Sequence, residues 1–240
     1  MDYKDIVENG EQYFLPNLSI DTVIIGYQAG IIKCLLLKIG DKWLLPGGYI
    51  KREESVQEAT HRVLKDRTGL EHTYLKFLAV FGKQDRQFSK VFEDFFSKAG
   101  VNWKADSWLR GRFVSLAYYA LVNIAETHPV KSDIDEAFAW FDFDALPEMW
   151  MDHASIVQTA RVQLTTDIQH EYHAYKLLAE EFTMPELHQL YQVILKENID
   201  RSRFQKKMLG TGLFERLPKL NKNTPGRNPY LYRVKGALPG

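Results

Sequence analysis

Apolar residues in the first part of the chain come in short, β-branched runs bounded by turn formers. Residues 19–27 (SIDTVIIGY) and 30–39 (GIIKCLLLKI) predict two paired strands, with Gln28-Ala29-Gly30 as the turn between them. Trp43-Leu44-Leu45-Pro46 is a short extended run that meets Gly47-Gly48, and the glycine pair predicts a turn there. The period then lengthens. Val56, Ala59, Thr60 and Val63 share one side of a helix over residues 55–68, which Gly69 stops. Residues 75–81, 113–124 and 137–143 return to strand texture. Between the first two of these lies an aromatic-rich stretch, residues 87–110, that reads as an insertion with a helix over 89–99.

After Pro147 the texture changes. Residues 153–170 hold no Gly or Pro and predict a helix that links two domains. Thr183 followed by Glu186 is a capping box, opening a helix to about Leu195 with Leu187, Leu190, Tyr191 and Ile194 on one face. Asp200 caps a second helix over 201–209, with Phe204 and Leu209 turned inward and Gly210 as its stop. Residues 213–217 and 230–234 predict two strands around a loop rich in Asn, Lys, Pro and Gly. Helix, tight turn, helix and hairpin is the order of a winged helix-turn-helix.

Charge sharpens that picture. The chain of 240 residues carries 31 Lys+Arg and 31 Asp+Glu, but residues 200–240 hold ten of the cations and only two of the acids. The tail is therefore +8 on a body of −8, the imbalance expected of a segment that meets an anionic partner such as nucleic acid. Arg201, Arg203, Lys206 and Lys207 would present it from the second helix, and Lys219, Lys222 and Arg227 from the wing. The lone Cys34 excludes an internal disulfide and reads as a buried strand residue. The charged start, Met1-Asp2-Tyr3-Lys4-Asp5, and the lack of a long apolar run lead us to expect a cytoplasmic protein with no membrane partner. His170-Glu171-Tyr172-His173 lacks the H-E-x-x-H spacing and reads as structural. Internal repeats and low-complexity tracts are absent from the sequence.

The segment from Gly48 to Leu70 carries the chemistry. Gly48, Glu54, Arg62, Leu64, Gly69 and Leu70 fall at the matching positions of the pattern G-x5-E-x7-R-E-U-x-E-E-x-G-U, and the stretch resembles the Nudix box. In that family the carboxylates hold Mg²⁺, which neutralises a diphosphate and activates water. Here Val63, Asp66 and Arg67 stand where the three later Glu belong, so two acidic positions are lost and one has become a cation. Glu54 and Glu58 remain on one helix face, and Arg62 with Glu58 reads equally as a structural ion pair.

A degenerate Nudix domain joined to a C-terminal winged helix resembles the NrtR-like transcriptional regulators, a group that includes sugar-responsive members such as the arabinose regulator of Bacteroidetes. Phe81-Gly82 with Asp85-Arg86, the run from Arg112 to Leu121, Phe182 to Leu187 and Asp200 to Lys207 carry the likeness over nearly the whole chain. The resemblance implies an α+β chain: a Nudix-type α/β/α sandwich over residues 1–152, then a linker helix and winged helix over 153–240. It implies a homodimer that reads a palindromic double-stranded operator and binds a small effector, of the pentose, sugar-phosphate or ADP-ribose class, in a non-catalytic cleft. Gly47, Gly48, Glu54, Glu58, Arg62, Asp85 and Arg86 are the ligand-binding candidates, and one of Tyr118 and Tyr119 would face the cleft. Neither catalytic residues nor a resident cofactor are expected. The alternative is an active hydrolase of ADP-ribose or a related nucleoside diphosphate, which would require Mg²⁺.

Overall fold

The computed structural model describes residues 3–71, 73–87, 92–93, 96–97, 100–101, 103–131, 135–220 and 228–236. Its first element is a short helix the sequence pattern did not flag, α1 (Tyr3–Asn9). Strands β1 (Phe14–Gln28) and β2 (Ile31–Ile39) form the expected hairpin, and Ala29 and Gly30 at its tip both take positive φ, 52° and 80°. Such a turn suits the right-handed twist of the paired strands. Next come β3 (Lys42–Leu44), β4 (Gly47–Lys51), α2 (Val56–Thr68), β5 (Tyr74–Phe81), β6 (Val114–Leu121) and β7 (Ala137–Asp142). A mixed sheet results, in the order β3-β2-β1-β6-β5, with β4 pairing β1 and β7 pairing β2.

β1 starts earlier than its apolar run predicted because its first half is a separate pairing segment. Residues 14–21 pair antiparallel with β4, and from Leu18 onward β1 runs parallel to β6. A register shift between Phe14 and Ser19 bends the strand at Asn17, which takes φ 56°, a conformation Asn tolerates better than most residues. From that bend the Asn17 amide donates to the Trp108 carbonyl at 3.1 Å, tying the 87–110 insertion to the sheet. The helix expected over 89–99 lies partly outside the described residues. Of those that are described, Phe92 and Phe96 join Val7, Phe14, Trp103, Trp108, Leu109, Phe113 and Trp150 in a compact core of their own.

Helices cover both faces of the sheet. Ala59, Val63 and Leu64 of α2 pack on Ile20, Ile24, Leu35 and Ile50. On the other face lies α3 (His153–Asp167), whose Ile156, Val157, Ala160 and Leu164 meet Val23, Ile25, Leu36 and Ala117. The helix expected as a linker therefore packs on the sheet along its length. Cys34 is fully buried in β2, and burial raises its thiol far above the ordinary range. At the far end of α3 the Tyr119 hydroxyl donates to Asp167 at 2.5 Å, Lys76 pairs with Asp167 at 2.9 Å, and the Tyr74 hydroxyl donates to Glu171 at 2.7 Å.

The C-terminal segment is a winged helix. It comprises β8 (Phe182–Thr183), α4 (Met184–Leu195), α5 (Arg201–Gly210), β9 (Phe214–Lys219) and β10 (Tyr230–Val234), with sheet order β8-β10-β9. Phe204 and Met208 are the inward residues of α5, whereas Leu209 is 41% exposed. At 3.6 residues per turn Met208 lies one turn above Phe204, and Leu209 falls outside that face. The helix also runs through Gly210, and Gly212, at φ 71°, makes the left-handed exit instead. Among the described residues no helix is long and apolar enough to cross a membrane.

The capping box at Thr183 is present in both directions: its hydroxyl accepts the Glu186 N–H at 3.3 Å and the Glu186 carboxylate accepts the Thr183 N–H at 2.7 Å. Thr183→Ala should therefore lower stability by about 1 kcal/mol in urea unfolding followed by circular dichroism. An unchanged midpoint would mean that packing alone sets the start of α4.

Candidate functional site

A cavity of about 300 Å³ opens beside the N-terminal end of α3 and the C-terminal end of α2. Its polar end is built on β1. Asp21 interrupts an apolar strand, and its carboxylate accepts from Arg86 at 2.5 Å and from Ser115 at 2.6 Å. Arg86 reaches on to Asp152, which accepts from Nε at 2.9 Å, and its side chain is only 2% exposed. His153 completes the group: its Nδ1 accepts the Leu45 N–H at 2.9 Å, and its Nε2 lies 3.9 Å from Asp21. Two buried atoms here have no partner among the described residues, Arg86 Nη1 and Asp152 Oδ2.

Burial and charge set the protonation of this end. Burial by itself would raise the Asp21 carboxyl, but His153, Arg86 and the hydrogen bonds from Ser115 and Arg86 outweigh it and hold the carboxyl below its usual value. For His153, burial lowers the imidazole; Asp21 opposes that and Arg86 reinforces it, so the net direction is downward. At neutral pH the ring is therefore neutral, with Nδ1 as acceptor.

The opposite wall is aromatic. Phe14, Tyr49, Phe92, Phe113 and Trp150 line it, and Trp108 of the insertion wedges behind them, 4.8 Å from Tyr49 and 5.9 Å from Phe14 between ring centroids. Phe92 packs on Trp150 at 4.5 Å. The insertion thus supplies one side of the cavity, a role the sequence alone did not decide.

The third wall is the box, and several of its residues do other work than expected. Gly47 and Gly48 line the cavity, but neither makes a turn; both lie in β4. Glycine is required by close approach: a Cβ on Gly47 would stand 2.6 Å from the Ile20 carbonyl, and one on Gly48 2.8 Å from Val63 Cγ2. Arg62 also lines the cavity, yet its partners are Glu54, at 2.6 Å, and Asp66, at 3.4 Å, rather than Glu58. Glu54 is spent on that pair, and the Arg62 hydrogen bond is the main reason its carboxyl lies below the ordinary value. Glu58 closes a capping box with Ser55 and is turned to solvent. Neither glutamate lines the cavity. Asp85 does not either: it is exposed, and Arg86 turns inward to Asp21 and Asp152 instead of pairing with its neighbour. Strand alternation sends Tyr119 to the α3 face, while Tyr118 meets Phe77 edge to face on the other, so neither lines the cavity.

The magnesium ion implied by the box does not fit these residues. Glu54 and Glu58 are engaged, Val63 is a buried hydrocarbon, and Arg67 is a cation. Mg²⁺ requires hard oxygen donors in near-octahedral array, and the described residues contain no group of three or more His, Cys, Asp or Glu placed to hold a metal.

Of the residues expected to meet DNA, Arg201, Arg203 and Lys206 are exposed on α5. Lys207 is also exposed, but its ammonium stands 5.5 Å over the Tyr172 ring. On the wing, Lys219 lies 5.3 Å over Tyr230, beside Arg216 at 4.5 Å. Lys222 and Arg227 lie outside the described residues. Sequence reasoning missed Asp21, Asp152, His153 and the aromatic wall. The isolated carboxylate in the run SIDTVII was the available signal, because an ionised group in a central strand needs a buried partner.

Two outcomes are expected from this geometry. Gly48→Ala should cost about 1–3 kcal/mol through its clash with Val63. In a Val63→Ala background the cost should fall by about 1 kcal/mol, which a double-mutant cycle in urea reads directly. Lowering pH should also destabilise the fold through His153. The unfolded ring takes up a proton near its ordinary 6.5 while the folded ring resists, so this share of stability is complete above that value and lost as pH falls through it. His153→Gln should flatten the fall in melting temperature between neutral and mildly acidic pH; an unchanged slope would mean the buried ring is not what titrates.

Comparison with known proteins agrees with this architecture. Residues 28–160 match the NUDIX domain model, and residues 174–234 match the NrtR DNA-binding winged helix domain. The chain is 25% identical over 230 residues to an ADPR responsive transcriptional repressor NtrR of Acinetobacter baylyi, covering 92% of this chain and 83% of the relative. Among solved structures it is similar to Shewanella oneidensis NrtR complexed with a 27mer DNA, with a TM-score of 0.70, 24% identity, and coverage of 91% of this chain and 93% of the other. A MutT/nudix family protein from Enterococcus faecalis has the same fold, with a TM-score of 0.66, 22% identity and 97% coverage of both chains. With a NUDIX match across more than half its length and the winged helix match behind it, the chain belongs to the NUDIX family, in the branch whose sandwich is joined to an NrtR-type winged helix.

Proposed function

We propose that this protein is a transcriptional regulator whose NUDIX domain binds a small effector without hydrolysing it and whose winged helix binds operator DNA as a homodimer. The observation that carries the reading is α5. It is held from behind by Phe204 and Met208, and it presents Arg201, Arg203 and Lys206 to solvent in front of a basic wing. Exposed cations on the second helix of a winged helix meet phosphates and base edges of the major groove. A two-fold dimer would read matching half-sites.

The effector that suits the cavity is a polyhydroxylated compound of monosaccharide size. Aromatic faces pack on the C–H face of a sugar ring, and Arg86, whose Nη1 has no partner among the described residues, offers a donor to its hydroxyls from the cavity wall. Arg62, Arg67 and Arg86 are each matched by a carboxylate, so among the described lining cations Lys131, which donates to the Glu136 carbonyl, is the one left to meet a single anionic group. ADP-ribose is the second reading, favoured by the name of the Acinetobacter relative. The hydrolase reading is set aside on the chemistry of the box, which has lost its metal donors.

Fluorescence anisotropy with duplex DNA from upstream of the protein's own operon, against a scrambled duplex, tests the reading. We expect selective binding that weakens with salt, released or strengthened by one member of a panel of pentoses, pentose phosphates and ADP-ribose. Arg203→Ala with Lys206→Ala should weaken binding by about tenfold or more and lower the salt slope by roughly one per lost phosphate contact, with the melting temperature unchanged. Equal affinity for the scrambled duplex would overturn the regulator, and Mg²⁺-dependent release of AMP from ADP-ribose would restore the hydrolase.

A further inference from the structure

Arg67 is the largest chemical departure of this chain from the box it otherwise follows, and its surroundings are those of a bound cation. The side chain lies along the cavity wall and is only 19% exposed. Its Nε donates to the Gly47 carbonyl at 3.2 Å, and its Nη1 donates to Asp135 at 2.6 Å. The Asp135 carboxylate is itself 1% exposed, so the pair is largely shielded from water. Asp66, one residue before Arg67, and Asp21 line the same cavity. A backbone carbonyl and a buried carboxylate meeting on one positive charge are both hard oxygen donors. Here the charge is covalent. Its placement also fixes the chain: the Arg67 carbonyl accepts the Val130 N–H at 3.0 Å and the Thr68 carbonyl accepts the His128 N–H at 3.1 Å, so the loop that carries Asp135 is fastened to the end of α2 at both backbone and side chain.

We propose that the Arg67 guanidinium is the resident cation of this box, standing between the Gly47 carbonyl and the Asp135 carboxylate in place of a divalent metal, so that the cavity is assembled and binds its ligand without one. The loss of metal-holding carboxylates is then one half of an exchange in which the cation moved onto the chain. Val63 belongs to the same exchange: a carboxylate there would face Gly48 backbone with no ion to neutralise it, whereas valine packs on it. The inference concerns the box itself and holds whichever effector the cavity takes.

The test is to return the charge to solution. Arg67→Glu places a third carboxylate beside Asp66 and Asp135 and removes the cation that faces Asp135, while Arg62 stays engaged by Glu54 and Asp66. In EDTA its melting temperature should fall by roughly 6–10 °C, and millimolar Mn²⁺ should restore at least about half of the loss. Wild-type protein should melt at the same temperature in EDTA and in Mn²⁺, and Mn²⁺ titration followed by electron paramagnetic resonance should find a site in the variant that the wild type lacks. If Arg67→Glu folds poorly without metal, refolding in Mn²⁺ should recover it. Arg67→Gln, which keeps the bulk but not the charge, should be destabilised and gain a smaller Mn²⁺ response. Mn²⁺ binding by the wild type with equal affinity would overturn the proposal, as would variants that Mn²⁺ does not stabilise or an Arg67→Glu protein as stable in EDTA as the wild type.

Discussion

The buried guanidinium of Arg86 is the constraint on which the molecule turns. It sits between a carboxylate on β1 and another at the N-terminal end of α3, with Ser115 of β6 sharing the first of them. Removing three charges from water carries a large desolvation penalty, and losing one partner of such a group typically costs about 3–5 kcal/mol because the remaining charges stay buried. The sheet, the loop after β5 and the first turn of α3 therefore hold each other in one arrangement. Arg86 and Asp21 of this group also line the polar end of the cavity. Fold stability and ligand chemistry thus share their atoms, and neither can be altered without disturbing the other.

The box helix shows how a motif can keep its spacing while changing its trade. Glu54 and Arg62 hold each other across the turn that leads into α2, and Arg62 also donates to the Tyr49 carbonyl at 2.8 Å. Ser55 and Glu58 cap the helix. Gly48 and Val63 allow strand and helix to approach within a methyl radius of overlap. Every one of these positions is explained by packing or by internal ion pairing. What survives of the pattern is the part that shapes a strand–loop–helix unit, and what is lost is the part that bound an ion.

Much of this was legible in the sequence. Strand texture, the long-period helix from Ser55, the capping box at Thr183 and the order of the winged helix all depend on local rules: alternation, periodicity and the satisfaction of terminal N–H groups. The cavity was less so. Gly48 and Arg62 could be placed by the spacing of the box, but Arg86 entered only through the resemblance and together with its neighbour Asp85, whereas its partners Asp21 and Asp152 lie 65 and 66 residues away. Glu54 and Glu58 looked like ligands because their spacing suggested one helix face, but Glu54 lies ahead of the N-cap Ser55 and pairs with Arg62, while Glu58 is taken by the capping box. The insertion was opaque for the same reason. Its aromatics have no period of their own and acquire meaning only against Phe14, Tyr49 and Trp150.

α3 begins beside the cavity and ends where Asp167 is gripped by Tyr119 and Lys76, just before the chain enters the winged helix. Fifteen residues of helix at about 1.5 Å each span roughly 22 Å. A rod of that length, held to the sheet at both ends, ties the two together: a tilt of about 5° at the Asp152 end is possible only with a shift of roughly 2 Å at the other. In the dimer proposed above, the two copies of α5 would have to match the spacing of successive grooves, and a displacement on that scale is comparable to the length of the hydrogen bonds they would make.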